Sequence, residues 1–472
     1  MSAGGGFRQG NHQGGIVHIS VKAAVLTTTP AQTSASLLLR WYVLLSMCMV
    51  YTLSIADRYV ISTVLEPIRL ELHLTDSGIA FLSGTSIAIF YVTVGIPLSL
   101  LADRLNRRNL IAISVIAWSA MTTFTGLAAN YWQLLLARIG VGIGEAGGTP
   151  AANSIISDYF PCDRRPMALT VFALGAPIGA WVGASLAGRI ADVFGWRAVF
   201  LALGVPGILF GAMVYLTVRE PQRGQLDTAG CGSKTSFLQT LEFLWRQRAA
   251  CHLMVGSALT ALWGWGLTWW TPAYLMRTYH LSAGQAGGIT GPMHLVAGIA
   301  ATVFTGWLMG RPFMTDPRRV VLFMGCIIGA ATVPSILIFW THSLEVAKVM
   351  LWIFIPTIYF YLGPCFGLLN NLSPAPMRAQ FCAVTLFIAN VGNLVVAPQF
   401  VGFLSDLFGR FHNLHFGAVT LLPLDPGANV SAASLRWALL CLAPSGFWSA
   451  YHYFACARTV REDQERALAH AH

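Results

Sequence analysis

Long apolar runs separated by short polar turns make up most of this chain. Each run is about 20 residues long, the length that an α-helix needs to cross the hydrocarbon core of a bilayer. We therefore predict an all-α membrane protein with twelve transmembrane helices, numbered here as spans 1 to 12. In order, the predicted spans are 38–62, 77–101, 109–130, 132–157, 167–188, 197–218, 249–275, 283–309, 319–340, 346–371, 379–402 and 436–457.

The longest polar segment between spans divides them six and six. The predicted organisation is an N-terminal six-helix bundle (37–218), an inter-bundle linker (219–248) and a C-terminal six-helix bundle (249–457), with tails at 1–36 and 458–472. The first tail is rich in Gly, Ser, Thr and Gln, which predicts disorder. Two internal repeats support the division: 157–179 resembles 370–392, and IADVFGWRAVF (190–200) resembles LSDLFGR (404–410) followed, after an insertion, by LRWALL (435–440). Weakly similar halves are typical of duplicated transporters.

Composition excludes a soluble globular domain, because 55% of the residues are hydrophobic and only 10% are charged. The net charge of +10 does not indicate nucleic-acid binding, since the basic residues lie in short loops rather than in one patch. Twenty of the 29 Lys and Arg residues fall on the side that carries both termini. The positive-inside rule then predicts a multi-pass protein of the plasma (inner) membrane, with both termini and the linker in the cytoplasm.

Four ionisable residues lie inside predicted spans of the first half: Asp57 and Arg58 in span 1, and Arg138 and Glu145 in span 4. A charge in hydrocarbon costs roughly 2.5–3.5 kcal/mol, so these groups must face protein or water. Because the second half has no acid or base deep in a span apart from His294, we predict that a protonatable site lies in the first half. Two structural alternatives stay open: Arg138 and Glu145, seven residues apart on one helix face, form an internal brace, and Asp57 and Arg58 reach water at the outer interface.

Other polar and aromatic residues inside spans are candidates for binding a solute. Arg58 and Arg138 would bind a carboxylate, as basic side chains do. Trp263 and Trp265 each adjoin a glycine and are predicted to lie deep, where they could line a cavity, whereas Trp269 and Trp270 are predicted to belong to the outer aromatic belt. His294 is either a hydrogen-bonded core histidine or a proton carrier. The remaining candidates are Asn153, Asn390 and Asn393.

A short charged turn, LADRLNRR (101–108), follows span 2. Its basic residues hold the loop inside, but acidic residues contribute little to orientation, so Asp103 needs another role. We predict that Asp103, Arg104, Arg107 and Arg108 form an inner gate. Asp103 would pair with a basic residue or a helix N-terminus.

This turn resembles the signature of the major facilitator superfamily, although Ser99 and Asn106 stand where the signature has glycines. Arg138 with Gly142 is similar to the arginine motif of span 4 in that superfamily. Three stretches resemble its Spinster-like branch: DRY (57–59), GIGEAGGTPAANSIISDYF (142–160) and GWRAVFLALGVPG (195–207). The resemblance covers residues 40–222 best.

The resemblance implies the superfamily fold, two six-helix bundles around a central cavity, and no enzymatic activity, cofactor or metal. It implies secondary active, proton-coupled transport of an amphipathic or lipid-like solute, with Asp57 and Glu145 as the coupling acids. The organic anion:cation symporters share the Asp-Arg and Glu-Ala pairs, so a proton-coupled symporter of a small organic anion is the alternative. The expected partners are the solute, protons and membrane lipids, and the expected state is a monomer.

Overall fold

Helices account for nearly all of the described chain, because a backbone inside hydrocarbon must satisfy its hydrogen bonds internally. The computed structural model describes residues 36–90, 93–94, 105–161, 164–222, 236–374, 377–411, 415–416, 419–420 and 429–469. Nine helices in this part of the chain are long and apolar enough to cross a membrane: Leu37–Thr63, Arg107–Leu127, Met167–Phe194, Trp196–Thr217, Ala283–Met309, Pro317–Trp340, Leu344–Asn371, Gln380–Phe411 and Val430–Ala467.

The described parts of the other three predicted spans are also helical. Span 2 begins with Asp76–Phe90, span 4 consists of Tyr131–Glu145 followed by Gly148–Tyr159, and span 7 is Arg248–Tyr279. Shorter elements are helices Leu65–Glu71 and Phe237–Arg246, a turn of 3₁₀-helix at Pro312–Met314, and a two-stranded antiparallel hairpin that pairs His415–Phe416 with Val419–Thr420. The predicted all-α membrane fold is therefore confirmed.

Four spans contain a turn of π-helix, which inserts one extra residue into the helical repeat. The turns are Phe81–Thr85 in span 2, Val182–Leu186 in span 5, Met293–Ala297 in span 8 and Val391–Val396 in span 11. Spans 8 and 11 occupy the positions in the second half that spans 2 and 5 occupy in the first. Such turns are frequent at functional sites, and here two of them contain candidate residues, His294 and Asn393.

The glycine ridge of span 5 packs against span 1. A Cβ added at Gly175, Gly179 or Gly183 would lie 2.8, 2.5 and 2.5 Å from backbone carbonyl oxygens of span 1. Any larger residue would therefore push the two helices apart. This close packing fixes span 1, which carries Asp57 and Arg58, against the bundle.

Buried apolar residues form two clusters that differ in extent. The larger one includes Val60, Ile61 and Val64 at the end of span 1 together with Trp270 and Tyr274 of span 7, so it joins the two halves. The smaller one contains residues of the first half only, among them those near the start of span 1. The halves thus share an apolar core at the end of the molecule where span 1 finishes, which we call the closed end.

The fold adds two details to the predicted boundaries and corrects one prediction. The linker contains a helix, Phe237–Arg246, and span 7 begins within it, at Arg248. No break separates span 12 from the predicted tail, because one helix runs over Ser445–Ala469 and the buried Asp463 accepts a hydrogen bond of 2.7 Å from the backbone N–H of Ala249. The belt prediction is wrong for Trp270, which is completely buried by packing between the halves.

Candidate functional site

Two ion pairs link span 1 to span 4. In the first, Arg138 Nη1 donates to Asp57 Oδ2 at 2.9 Å, and both residues are almost completely buried. Thr122 of span 3 donates to the second oxygen of Asp57, at 2.7 Å. Each carboxylate oxygen therefore has a partner inside the first bundle.

The second pair lies closer to the surface between the halves. Arg58 donates to Glu145 Oε2 through Nη2 at 2.8 Å and through Nε at 3.2 Å, and Ser54 donates to Oε1 at 3.1 Å. The Glu145 side chain is 1% exposed, whereas that of Arg58 is 23% exposed. Of the two carboxylates, Glu145 thus has the cationic partner that solvent or a solute can reach.

This pairing differs from both structural alternatives drawn from sequence. Arg138 and Glu145 do not pair with each other, because seven residues of helix separate them by about 10.5 Å along the axis. Asp57 and Arg58 point about 100° apart, so each meets a different residue of span 4. Asp57 is 1% exposed and does not reach water at an interface.

Glycines bring span 4 close enough to its neighbours for these contacts. A Cβ at Gly144 would lie 2.6 Å from the backbone nitrogen of Trp118 in span 3, and one at Gly142 would lie 2.6 Å from the carbonyl oxygen of Ile87 in span 2. The helix of span 4 also stops at Glu145 and restarts at Gly148. Glu145 therefore occupies the last residue of a helix in a tightly packed region.

A cluster of rings joins span 1 to the second half. Tyr59, next to Arg58 in sequence, packs edge-on against His294 of span 8 with centroids 4.8 Å apart and against Trp265 of span 7 at 6.2 Å. His294 Nδ1 lies 3.0 Å from the hydroxyl of Tyr359 in span 10. We call Tyr59, Trp265, His294 and Tyr359 the ring cluster. Its two tyrosines were not among the predicted site residues: Tyr59 belongs to the DRY stretch, and Tyr359 lies in an apolar run.

Several polar atoms at this site are buried without a hydrogen-bond partner among the described residues. They are His294 Nε2, the Tyr59 hydroxyl, and Nε and Nη2 of Arg138. Buried polar groups usually find a protein or water partner. The atoms of His294 and Tyr59 come from opposite halves, so polar groups of both halves meet in the ring cluster.

The other candidate residues are spread over different environments. Trp263 is completely buried inside the second bundle, where its indole nitrogen donates to Ser335 at 3.1 Å, so it does not line a space between the halves. Asn153 is exposed on the second helix of span 4, and Asn390 and Asn393 are partly buried in span 11. The ion pairs and the ring cluster thus include six of the predicted proton-coupling and solute-binding residues: Asp57, Arg58, Trp265, Arg138, Glu145 and His294.

The charged turn after span 2 is only partly described. Asp103 and Arg104 lie outside the described residues. Arg107 is buried and donates to Asp158, to Glu220 Oε1 at 2.8 Å and to the carbonyl of Pro221 at 3.1 Å. The backbone N–H of Arg108 donates to Glu220 Oε2 at 2.8 Å.

These contacts all lie within the first half, because the start of span 3 sits between the ends of spans 4 and 6. Arg107 and Arg108 therefore brace one bundle in this conformation. A gate between the bundles would need partners from the second half, and among the described residues these two arginines contact only the first half.

A buried charge network closes the other end of the molecule. Arg277 of span 7 donates to Asp76 through Nη1 and Nη2, at 2.8 and 2.7 Å, and to Glu66 through Nε at 2.7 Å. Glu66 also accepts from Arg69 at 2.7 Å. The sequence alone does not mark Arg277, because the order of residues along the chain does not show that this arginine meets acids of the first half.

The repeated segments of the two halves supply a second, symmetric closure. Asp192 at the end of span 5 accepts from Ser282 Oγ at 2.6 Å and from the backbone N–H of Gly284 at 3.1 Å, at the start of span 8. The equivalent Asp406 of span 11 accepts from the backbone N–H groups of Asp76 and Ser77, at 2.9 and 2.8 Å, at the start of span 2. Each half therefore caps a helix N-terminus of the other.

Glycines four residues before these aspartates make the approach possible. A Cβ at Gly188 would lie 2.5 Å from the carbonyl oxygen of Ala283, and one at Gly402 would lie 2.6 Å from that of Asp76. The sequence of each segment is Gly, three residues, Asp: GRIAD (188–192) and GFLSD (402–406). We call these two segments the GxxxD caps.

Helices that span a membrane, a duplicated arrangement of halves, and charges buried beside the surface between them define a membrane transporter rather than an enzyme. The family model "Major Facilitator Superfamily" matches residues 47–397. The chain belongs to the Major Facilitator Superfamily and to its Spinster-like branch. The resemblance seen in sequence is thereby confirmed.

A solved structure and three curated proteins place the chain among its relatives. A bacterial homologue of the human lysosomal transporter Spinster, in an inward-facing, unoccupied conformation, shares 30% identity and a TM-score of 0.78, over 91% of this chain and 99% of that chain. An MFS-type efflux pump of Mycolicibacterium smegmatis is 29% identical over 78% of this chain and 84% of its own length. A probable L-galactonate transporter of Escherichia coli is 26% identical, over 75% and 81%. The sphingosine-1-phosphate transporter SPNS2 of Danio rerio is 30% identical, over 48% and 45%.

Proposed function

We propose that this chain is a proton-coupled secondary transporter that moves an amphipathic or lipid-like solute by alternating access. The observation that carries the proposal is the Glu145–Arg58 pair: a buried carboxylate held by a cation that is itself partly exposed beside the surface between the halves. A proton on Glu145 removes its negative charge and weakens the hold on Arg58. The guanidinium is then available to a solute, and the loss of the proton restores the pair.

We assign different roles to the two ion pairs. Glu145 exchanges the proton, while Asp57 keeps Arg138 and Thr122 in place from within the first bundle. The four charges sum to zero when both carboxylates are ionised, so protonation of Glu145 leaves a net charge of +1 at the site. A conformation in which Arg58 keeps its pair with Glu145 then differs in energy from one in which the pair is weakened, and coupling requires such a difference.

The ring cluster favours a solute with an apolar part. Tyr59, the residue after Arg58, joins Trp265 and Tyr359 in one set of packed rings, and the Tyr59 hydroxyl and His294 Nε2 suit a polar head group. The sphingosine-1-phosphate transporter among the relatives supports the same class of solute. Asn153, Asn390 and Asn393 are the further polar groups that we assign to the solute path.

A small organic anion is the second candidate, favoured by the probable L-galactonate transporter among the relatives. A carboxylate would pair with Arg58. Arg138 is fully buried and already bound to Asp57, so it does not converge with Arg58 on a solute. With one accessible cation and several rings, the site suits an amphipathic solute better than a polar anion.

Transport by the purified protein in proteoliposomes tests the proposal. We expect a labelled lysolipid to be transported, and a pH gradient to raise its transport over that seen without a gradient. A hexuronate-type acid is offered in parallel. Gradient-driven uptake of the acid with no movement of the lysolipid would establish the second candidate instead, and no effect of the gradient on either solute would exclude proton coupling.

We also propose where the protein lies in the cell and how it is oriented in the membrane. The excess of basic residues on the side of both termini supports cytoplasmic termini in the plasma (inner) membrane, and we propose that the protein acts as a monomer. A reporter enzyme that works only in the cytoplasm should be active when it is fused to either terminus. No activity from either fusion would contradict this orientation.

A further inference from the structure

The linker helix, Phe237–Arg246, is amphipathic and lies outside the twelve spans. One side packs on the second bundle. Thr240 and Leu244 on that side are buried, and Phe243 packs against Phe381 of span 11 with ring centroids 6.2 Å apart. These contacts fix how the helix is rotated about its axis, and therefore what its other sides present.

A second side carries large apolar residues that nothing in the described chain covers. Phe237, Leu238, Leu241 and Trp245 are 54, 74, 38 and 79% exposed. At about 100° of rotation per residue, their side chains fall within one sector of about 100° next to the packed side. We call these four residues the apolar sector.

The third side is polar and completes the pattern. Arg246 donates to Glu242 at 2.6 Å, both side chains are well exposed, and Gln239 is exposed beside them. A helix with an apolar side, an opposite charged side and a tryptophan is typical of helices that lie in the plane of a membrane surface. The capping box of Ser236 and Gln239 stabilises its start.

The position of the helix identifies what covers the apolar sector. Only Gln247 separates Arg246 from Arg248, the first residue of span 7. The apolar sector therefore lies at the end of the second bundle where span 7 begins, and a span that crosses the bilayer begins at the membrane surface. Arg246 and Arg248 carry positive charge at that level, where lipid phosphates lie.

We infer that the linker helix is a membrane-surface anchor that binds the lipid bilayer. Its apolar sector inserts below the head groups of the leaflet at which span 7 begins, and Arg246 and Arg248 contact the phosphates. The polar side, with Glu242, faces water. One end of the inter-bundle linker is thereby held at the bilayer, and anionic lipids strengthen the contact.

Depth-dependent quenching in proteoliposomes tests this inference on the full-length chain. A single cysteine is placed at Leu241 or, as the matched control, at the adjacent Glu242, in a variant whose native cysteines are replaced and which still transports. Each is labelled with an environment-sensitive fluorophore, and vesicles of phosphatidylcholine contain lipids with a nitroxide on the acyl chain. We expect a blue shift and severalfold stronger quenching at 241 than at 242, increasing when phosphatidylglycerol is included.

Equal quenching at the two positions would overturn the inference. So would shielding at 241 that disappears as the protein is diluted with lipid, since that result would mean that a second copy of the chain covers the sector. As a second variant, Leu238→Gln with Trp245→Gln leaves the packed side intact. It should reduce the quenching at 241 severalfold while the apparent melting temperature stays unchanged, and undiminished quenching would also contradict the inference.

Discussion

At the scale of residues, the two buried carboxylates differ in what surrounds them. Asp57 is bound by Arg138 and Thr122, both buried, whereas Glu145 is bound by the partly exposed Arg58. Removing one partner of a buried ion pair costs about 3–5 kcal/mol, because the remaining charge stays buried without compensation. The proposal therefore assigns a structural role to Asp57 and the exchange of protons to Glu145.

The first prediction concerns Asp57. Asp57→Asn should destabilise the protein by about 3–5 kcal/mol, because it leaves Arg138 charged and buried without a carboxylate. The measurement is the apparent melting temperature of the purified protein in detergent. The double variant Asp57→Asn, Arg138→Gln removes both charges and should recover part of that loss. A single variant that melts like the wild type would show that the pair is not structural.

The second prediction concerns His294. His294→Phe keeps a ring but removes Nε2, so the solute should bind about five- to tenfold more weakly, the value of one hydrogen bond of about 1–1.4 kcal/mol. The measurement is the KM for exchange in proteoliposomes. Trp263→Phe, deep in the second bundle, is the control and should leave KM unchanged. Equal changes in both variants would remove His294 from the site.

Sequence reasoning found the charged residues of the site but not their pairing. Helical periodicity shows which residues share a face of one helix, yet it does not show which neighbouring helix that face meets. Arg138 and Glu145 share a face of span 4, and each meets a different residue of span 1. Trp263 was expected to line a cavity because it adjoins a glycine, but that glycine packs against Ile358 inside the second bundle.

At the scale of elements, the GxxxD caps explain how the halves hold together at the closed end. Each cap combines a glycine that permits close approach with an aspartate that accepts backbone hydrogen bonds from the opposite half. The buried Arg277 network adds charge pairs between the same ends. The internal repeat was visible in the sequence, but a repeat alone does not reveal that its two copies face opposite halves.

The third prediction tests these caps. In Gly188→Ala or Gly402→Ala the new methyl group would clash with a backbone carbonyl across the interface, so the closed end should open more often. Spin labels placed across that end report the change as a shift of the distance distribution towards longer distances. Gly288→Ala in span 8 is the matched control, because a Cβ there meets nothing within 4 Å. An unchanged distribution in both cap variants would show that the caps do not hold the end closed.

At the scale of the whole molecule, the halves share their apolar core at one end, and the chain matches an inward-facing relative with a TM-score of 0.78. The number and order of spans followed from hydropathy, since the bilayer sets the length of every helix. Which end of the molecule is closed could not be predicted from hydropathy. Closure depends on contacts between residues far apart in sequence, such as Arg277 with Glu66 and Asp76.

Both halves of the molecule contribute residues that would select the solute. The first half supplies Arg58 and Tyr59, and the second supplies Trp265, His294 and Tyr359. The sequence pointed to His294 as a candidate, but it did not show which side chains of the first half surround it. A site with one accessible cation among rings was therefore beyond sequence reasoning, and it is the basis for preferring a lipid-like solute.

The central claim is that Glu145 carries the proton that drives transport, and Glu145→Gln tests it most directly. The amide mimics the protonated carboxyl group in shape and charge. The measurement compares solute accumulation driven by a pH gradient with solute exchange at equal pH, in the same proteoliposomes. We predict that Glu145→Gln loses accumulation but keeps a substantial part of exchange, and that Glu145→Ala, which also removes the contacts to Ser54 and Arg58, loses both. Full gradient-driven accumulation by Glu145→Gln would contradict the account.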